Sequence, residues 1–227
     1  MSTANPFDAP EKTGANNYYY RLTVKRDRAT KPDTPVFQLS EKRGDEYVVV
    51  KEQREIQGRV VGADFRAPLT ADQTGIVSIK IAANDLADSP IAVVSMGAGS
   101  RFGKDALTLL SRKENGILGK RIKISLWDLQ DSNAPKAAPK KYGWAVYDLD
   151  RRNSEGKYER LKPTDEEFVK ANNAAEQKLL PNWWNTIKPH VDSVASAFAP
   201  AGAVAAVTQL TAPKQDQEDV FSDDLPF

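Results

Sequence analysis

Apolar and polar residues alternate along much of the first 162 residues, which is the pattern of β-strands with one buried face. In the segment 18–26, Tyr18, Tyr20 and Leu22 fall on one side, whereas Tyr19 and Arg21 fall on the other. Similar short runs follow at 36–39, 47–50, 56–61, 75–82, 91–96, 106–111, 117–127, 142–149 and 157–161. The pattern predicts about eight short strands, with 47–50 and 56–61 forming one long strand that bends at Gly58 and Gly62.

Two turn signals divide these runs into hairpins. Asn115-Gly116 separates 106–111 from 117–127, and both residues accept the positive φ of a tight hairpin turn. The segment Asn153–Gly156 separates the last two runs in the same way. Because no regular helical pattern lies between the strands, we expect a mainly β fold at 17–162, an OB-fold-like small β-barrel with extra hairpins. The strand order stays open, and a Greek-key sandwich fits the same pattern.

The apolar period changes to that of a helix in the segment 163–199. Thr164 and Glu167 match a capping box, which marks a helix start. The first predicted helix has one apolar face, formed by Phe168, Ala171, Ala175 and Leu179, and ends before Pro181. A second stripe is formed by Trp184, Ile187, Val191, Val194 and Phe198, and we expect Pro189 to start or kink that helix. We expect Trp183 and Trp184 to pack this segment onto the barrel.

Composition narrows the classes of function. The chain has 227 residues, no cysteine and a single histidine, His190. Disulfides and thiolate metal sites are excluded, and a catalytic triad or a His-rich zinc site has almost nothing to be built from. We therefore expect no enzyme, no cofactor and no metal. The sequence shows no signal-peptide pattern and no apolar run of about eighteen residues, so we expect a cytoplasmic protein.

Charge is unevenly distributed, although the net charge is only +1. Residues 214–227 contain one lysine and five acidic residues, a local balance of −4, so the other 213 residues sum to +5. A basic body with an acidic end hints at a nucleic-acid partner. We expect a flexible arm at 1–16 and a disordered linker at 200–218, followed by the acidic segment 219–227.

Basic residues alternate with aromatic residues on the polar sides of the predicted strands. A groove that holds single strands needs rings that stack on bases and cations that meet phosphates. Trp127 and Trp144 are the strongest stacking candidates, because cations flank each of them closely. The full predicted DNA-binding set is Tyr19, Arg21, Lys25, Arg54, Arg59, Arg66, Lys80, Arg121, Lys123, Trp127, Lys140, Lys141, Tyr142 and Trp144.

Two motifs support an alternative function, a metal-dependent nuclease or a nucleotide-binding enzyme. Gly97–Lys104 is glycine-rich and follows an apolar run, but Ala98 and Asp105 replace the first glycine and the hydroxyl residue that a P-loop needs. Asp148 and Asp150 form a carboxylate pair, yet two arginines follow at once and no third carboxylate lies at a suitable spacing. A third alternative is a scaffold protein that self-associates through the second helical stripe.

The segment Asp219-Val-Phe-Ser-Asp-Asp-Leu-Pro-Phe227 combines carboxylates with apolar side chains. An aromatic end with an α-carboxylate suits an apolar pocket that has a basic rim. We therefore predict a protein-interaction segment formed by Asp219, Phe221, Asp223, Asp224, Leu225, Pro226 and Phe227.

This segment resembles the acidic tip of bacterial and phage single-stranded DNA-binding proteins, and the body is more similar to the phage versions in its length and its helical segment. The resemblance implies an OB-fold that binds single-stranded DNA with little sequence specificity, joined by a flexible linker to a tip that recruits partner enzymes. It implies a role in DNA replication, recombination and repair in a bacterium or a phage-infected cell. The implied partners are polymerase, helicase, primase or exonuclease, and a second copy of the chain.

Overall fold

The computed structural model describes residues 17–25, 34–43, 46–70, 73–84, 89–129 and 141–198. The expected arm at 1–16, linker at 200–218 and tip at 219–227 lie outside these residues. The described strands are β1 (Asn17–Lys25), β2 (Thr34–Arg43), β3 (Glu46–Gln53), β4 (Glu55–Arg66), β5 (Ile76–Ala82), β6 (Ile91–Gly97), β7 (Arg121–Leu129), β8 (Lys141–Arg152) and β9 (Tyr158–Leu161). The described helices are α1 (Arg101–Ser111), α2 (Asp165–Glu176) and α3 (Leu180–Phe198).

The nine described strands form one mixed sheet in the order β3-β2-β1-β6-β5-β4-β7-β8-β9. Neighbouring strands are antiparallel except β1 and β6, which are parallel. The sheet curls, because β2 returns to within 8 Å of β7 and β8 between Cα atoms without a hydrogen-bonded ladder to either strand. The prediction of a mainly β protein is confirmed, and the sheet over the described residues is curved but not closed.

One side of the sheet forms the core, as the alternation predicted. Tyr20 of β1 is buried, whereas the adjacent Tyr19 is 61% exposed. Paired residues of an antiparallel ladder share a face, so the buried pair Ile79 and Val94 continues this side from β5 to β6. We call the buried side the inner face and the other side the outer face. Other buried residues of the inner face include Phe37, Ile56, Val60, Val77, Ile81, Ile122, Ile124, Val146 and Leu161.

Helix α1 occupies the segment for which a strand at 106–111 was predicted, so that prediction was wrong. The helix begins after Ser100, whose side chain accepts a hydrogen bond from the Gly103 N–H at 3.1 Å. Every residue from Phe102 to Leu110 is buried, and the short run 106–111, taken by itself, does not distinguish a strand from a buried helix. Asn115, with φ of 55°, turns the chain beyond the end of the helix and not inside a hairpin.

The two C-terminal helices follow the predicted change of period. The capping box is present: the Thr164 side chain accepts from the Glu167 N–H, and the Glu167 carboxylate accepts from the Thr164 N–H at 2.7 Å. Helix α3 runs through Pro189, so this proline does not start the helix. No helix in the described part of the chain has the length and apolarity needed to cross a bilayer.

The apolar stripe of α3 is used inside the molecule. Strand β4 pairs with β7 only through 55–59, and α3 packs against β4, where Ala195 lies close to Gly62. The Trp184 ring stacks on Phe65 with centroids 5.9 Å apart, and Ile187 is buried. Trp184 therefore packs the helix onto the sheet as predicted. The part of the stripe that the scaffold alternative would use for self-association is mostly covered.

An ion pair between α1 and α2 predicts that stability falls in acid. Two nitrogens of Arg112 donate to the Glu167 carboxylate, and these bonds lower the pKa of Glu167 from 4.5 to about 2. Because the pKa of Glu167 is lower in the folded chain than in the unfolded chain, the ion pair stabilises the fold at pH values above the unfolded pKa. This stabilisation is lost as the pH falls from about 4.5 towards 2. Because the pair is partly exposed, we expect a loss on the order of 1 kcal/mol, measured by urea unfolding near pH 6 and pH 3. Glu167→Gln should flatten that difference, whereas Glu166→Gln should not; equal pH dependence in both variants would contradict the assignment.

Candidate nucleic-acid interface

Three cation–aromatic pairs lie together on the outer face of the last three strands, among the residues that the structure describes. Arg160 lies over the Trp127 ring at 5.3 Å, Lys123 over Tyr147 at 5.7 Å, and Arg152 over Tyr158 at 4.4 Å, measured to the ring centroids. Such geometry lies within the range of cation–π attraction. We call the six residues of these pairs the cation–aromatic face.

Strand register explains why these six side chains meet. Lys123 of β7 pairs with Tyr147 of β8, which pairs in turn with Arg160 of β9, so the three share the outer face. Trp127 lies four residues from Lys123 on the same side of β7, and Tyr158 lies two residues from Arg160 on β9. The inner face of the same strands carries buried apolar residues, so the cations and rings are the side that meets solvent.

Gly143 gives the Trp127 ring its place on the sheet. Gly143 pairs directly with Trp127, and a Cβ atom at Gly143 would lie 3.0 Å from three atoms of the indole. The absence of a side chain lets the indole lie close over the β8 backbone, while Arg160 approaches from β9. A ring held in this way loses little freedom when a base stacks on its accessible part.

Gly143→Val should displace the indole and so weaken single-strand binding without unfolding the protein. We expect a loss of roughly 1 kcal/mol, which is about fivefold in Kd, because the ring no longer lies flat for stacking. Anisotropy of a labelled oligo-dT measures the effect. In a Trp127→Ala background the same substitution should have no further effect, and an equal loss in both backgrounds would disprove the role of Gly143.

Acidic neighbours order some of the cations near this face. Lys123 Nζ lies 3.4 Å from Glu55 Oε1, and the same oxygen accepts from the Ser125 hydroxyl at 2.8 Å. Arg121, which was also predicted to contact DNA, lies 3.9 Å from Asp150. These pairs are partly exposed, so an incoming phosphate can compete with the carboxylates for the cations.

Other predicted DNA-binding residues fall on the opposite half of the outer face. Tyr19 and Arg21 of β1 are exposed, and Lys80 of β5 forms an ion pair of 2.7 Å with Asp64. Arg54 and Arg66, at the two ends of β4, are exposed. Tyr19, Arg21, Lys80 and Arg66 form a second group on the β1–β5 side of the sheet. Arg54 does not belong to it, because its carbonyl accepts from the Leu126 N–H at 2.8 Å, which places Arg54 beside β7 and the cation–aromatic face.

Arg59 lies between these two groups and is partly buried. It donates to the Gly119 carbonyl at 2.6 Å, and its guanidinium lies 5.8 Å from the Phe198 ring centroid. Its partner in the ladder is Arg121 of β7. The side chains of Lys25, Lys141 and Tyr142, all of Lys140, and the predicted tip lie outside what the structure describes.

The prediction that Trp144 stacks on bases was wrong, because the structure places this residue in the core. It is 6% exposed, its ring meets Phe102 edge to face at 5.5 Å, and its Nε1 donates to Asp105 at 2.9 Å. Burial raises the pKa of Asp105, while the bond from Trp144 lowers it. Trp144 faces inward because it pairs with the buried Leu126, so a base cannot reach its ring.

The residues of the two motifs that supported an enzyme, Gly97–Lys104 and the Asp148/Asp150 pair, mostly make contacts within the fold. The Gly97–Lys104 segment forms the turn and first residues of α1, and Lys104 is buried with its Nζ donating to Asn172. Burial lowers the pKa of Lys104. Asp148 is 1% exposed and accepts from Lys120 at 3.1 Å, whereas Asp150 is exposed. Among the described residues, no group of three or more acidic, histidine or cysteine side chains could hold a metal ion.

Four members of the cation–aromatic face were missed in the sequence: Tyr147, Arg152, Tyr158 and Arg160. Their alternation along 147–160 was visible, since Tyr147 lies on the side opposite the buried Val146 and Asp148. The hairpin of β8 and β9 was predicted from its turn at Asn153–Gly156 and is present. What the sequence did not indicate is the pairing of β7 with β8 and its register, which bring Arg160 to the tryptophan 33 positions away.

The fold and this surface define the class as a mainly β protein with a curled mixed sheet whose outer face pairs rings with cations. Comparison with known proteins adds no family, since no protein-family model, no curated protein and no solved structure matches the chain.

Proposed function

We propose that the chain binds single-stranded DNA with little sequence specificity on the cation–aromatic face. The observation that carries the proposal is the set of three rings, each beside a cation, on the outer side of β7, β8 and β9. Unpaired bases present flat faces to such rings, and the phosphates between them are neutralised by lysine and arginine. The contacts involve no base edges, so they do not select a sequence.

An OB-type barrel is the architecture that we propose for the β domain. The OB-fold is a partly open barrel, and a sheet that curls without closing is compatible with it. The resemblance of the segment 219–227 to an acidic tip supports a protein that acts in DNA replication, recombination and repair in the cytoplasm of a bacterium or an infected cell. In this proposal the segment recruits replication or recombination enzymes.

Titration of labelled oligo-dT and of the matching duplex, at low and moderate salt, tests the proposal. We expect a strong preference for the single strand and a loss of affinity with salt. Arg160→Gln should reduce the slope of log K against log salt by about 0.7, the value for one phosphate contact on a single strand. Lys188→Gln, which removes an exposed cation of α3, is the matched control. The proposal fails if the full chain does not bind single strands even in dilute buffer.

Deleting residues 219–227 should tighten DNA binding at low salt. Phe198, the last described residue of α3, lies over Arg59, which pairs with Arg121 beside Lys123. In this proposal the acidic segment, which residues 199–218 join to Phe198, can reach the edge of the cation–aromatic face and compete there with DNA as a polyanion. We expect a gain of several-fold that disappears at high salt, where the charges are screened. Equal affinities of the two chains at every salt concentration would remove the competition.

A further inference from the structure

A groove between α2 and the start of α3 has no role in the interface described above. Its volume is about 600 Å³, and its floor is formed by Val169, Ala174, Leu179 and Trp183. Val169 is 55% exposed and Leu179 is 43% exposed, so apolar surface faces solvent here in the part of the chain that the structure describes. An exposed apolar groove flanked by polar residues is typical of a binding site for an apolar peptide segment.

We propose that this groove binds the apolar residues of the segment 220–227 of the same chain. This segment offers Val220 with Phe221, and Leu225 with Phe227, as side chains for an apolar floor. The inference does not depend on DNA binding, and it assigns the segment a site that stays occupied at high salt, where competition for the cation–aromatic face is screened.

The length of the intervening chain suits this contact. Trp183 and Phe198 are fifteen residues apart on α3, which corresponds to about 22 Å at 1.5 Å per residue. The stretch 199–219 contains 21 residues, and a flexible chain of that length has a root-mean-square span of about 25 Å. Effective concentration is highest when the span of a linker matches the distance between its ends, so binding within one chain is favoured over binding to a second copy.

The rim of the groove makes the contact mainly apolar. Glu166 and Lys170 lie on the rim with opposite charges, and its other members are neutral polar residues. The groove thus has no net attraction for the aspartates of the segment, and its occupation should change little with salt. This distinguishes it from binding of the same segment to the cation–aromatic face.

Cysteine cross-linking tests the proposal, because the natural chain has no cysteine. One variant carries Asn173→Cys, which lines the groove, together with Ser222→Cys. The matched control carries Asn182→Cys with Ser222→Cys; Asn182 is exposed, lies next to Trp183 on α3 and is not among the residues that line the groove. Under mild oxidation we expect the groove pair to form an intramolecular disulfide about tenfold faster than the control pair, at low and at high salt.

A third substitution in the groove makes the result specific. Val169→Asp in the groove pair should lower the rate to that of the control, because it removes apolar surface and repels the aspartates of the segment, and the exposure of Val169 means that the fold is kept. Equal rates for the two pairs, a rate unchanged by Val169→Asp, or disulfide-linked dimers as the main product would each overturn the proposal. At high salt, a faster reaction between Ser125→Cys, on the outer face of β7, and Ser222→Cys than in the groove pair would also overturn it.

Discussion

Trp127→Ala is expected to weaken binding of oligo-dT by roughly 1–3 kcal/mol, which is between about fivefold and 150-fold in Kd. The physical reason is the loss of a ring that lies on Gly143 and offers a stacking surface beside Arg160. The effect should fall on affinity and not on folding, because the indole is only partly buried on the outer face. Anisotropy titration of the folded variant measures the affinity, and urea unfolding measures the stability.

Tyr19→Ala serves as the comparison for Trp127→Ala. Tyr19 is a 61% exposed ring on β1, in the second group of predicted residues, and no described cation–aromatic pair includes it. We expect a smaller loss of affinity from this substitution than from Trp127→Ala. A larger loss would move the binding site to the β1 side of the sheet.

Trp144→Ala is expected to reduce the free energy of unfolding by about 3–5 kcal/mol, the range for a large buried aromatic side chain. The substitution leaves a cavity beside Phe102 and removes the donor that Asp105 accepts from, in a site where Asp105 is 8% exposed. Urea unfolding measures the loss. Once the affinity is corrected for the folded fraction, oligo-dT binding should be unchanged.

Trp144→Phe separates the two parts of this effect. Phenylalanine keeps most of the packing on Phe102 but cannot donate to Asp105, so we expect a loss of about 1–3 kcal/mol from the unsatisfied carboxyl. If the alanine variant unfolds at the same urea concentration as the natural chain, Trp144 is not a core residue. If it remains fully folded and binds oligo-dT weakly, the ring belongs to the interface after all.

The positions of most strands, and which face of each is buried, could be predicted from the sequence. The alternation around Tyr20 and around Ile79 places the buried and exposed sides correctly, since the period of a strand is local and depends only on neighbouring residues. Helix α1 was missed. Arg101, Lys104, Asp105 and Thr108 form a polar stripe at helical spacing, but only the apolar part of the segment, 106–111, was interpreted, and a run of six residues is too short to separate the two periods.

The residues of the candidate interface could be predicted only in part from local sequence patterns. Trp144 was ranked highly because lysines precede it in the chain, yet alternation along β8 puts it beside Val146 on the inner face. Arg160 and Tyr158 were not predicted as site residues, because Trp127, the ring beside Arg160, lies far from both of them in the sequence. Their role depends on the pairing of β7 with the predicted β8–β9 hairpin, and the register of that pairing is not encoded by any local pattern.

The different surroundings of the four tryptophans limit what intrinsic fluorescence can report. Trp144 and Trp184 emit from the interior, Trp183 lies at the α2–α3 groove, and Trp127 alone of the four belongs to the cation–aromatic face. A bound oligonucleotide should therefore quench only a minor part of the emission, and the part that remains should be blue-shifted. The two interior indoles then act as a built-in reference against which the response of Trp127 is read.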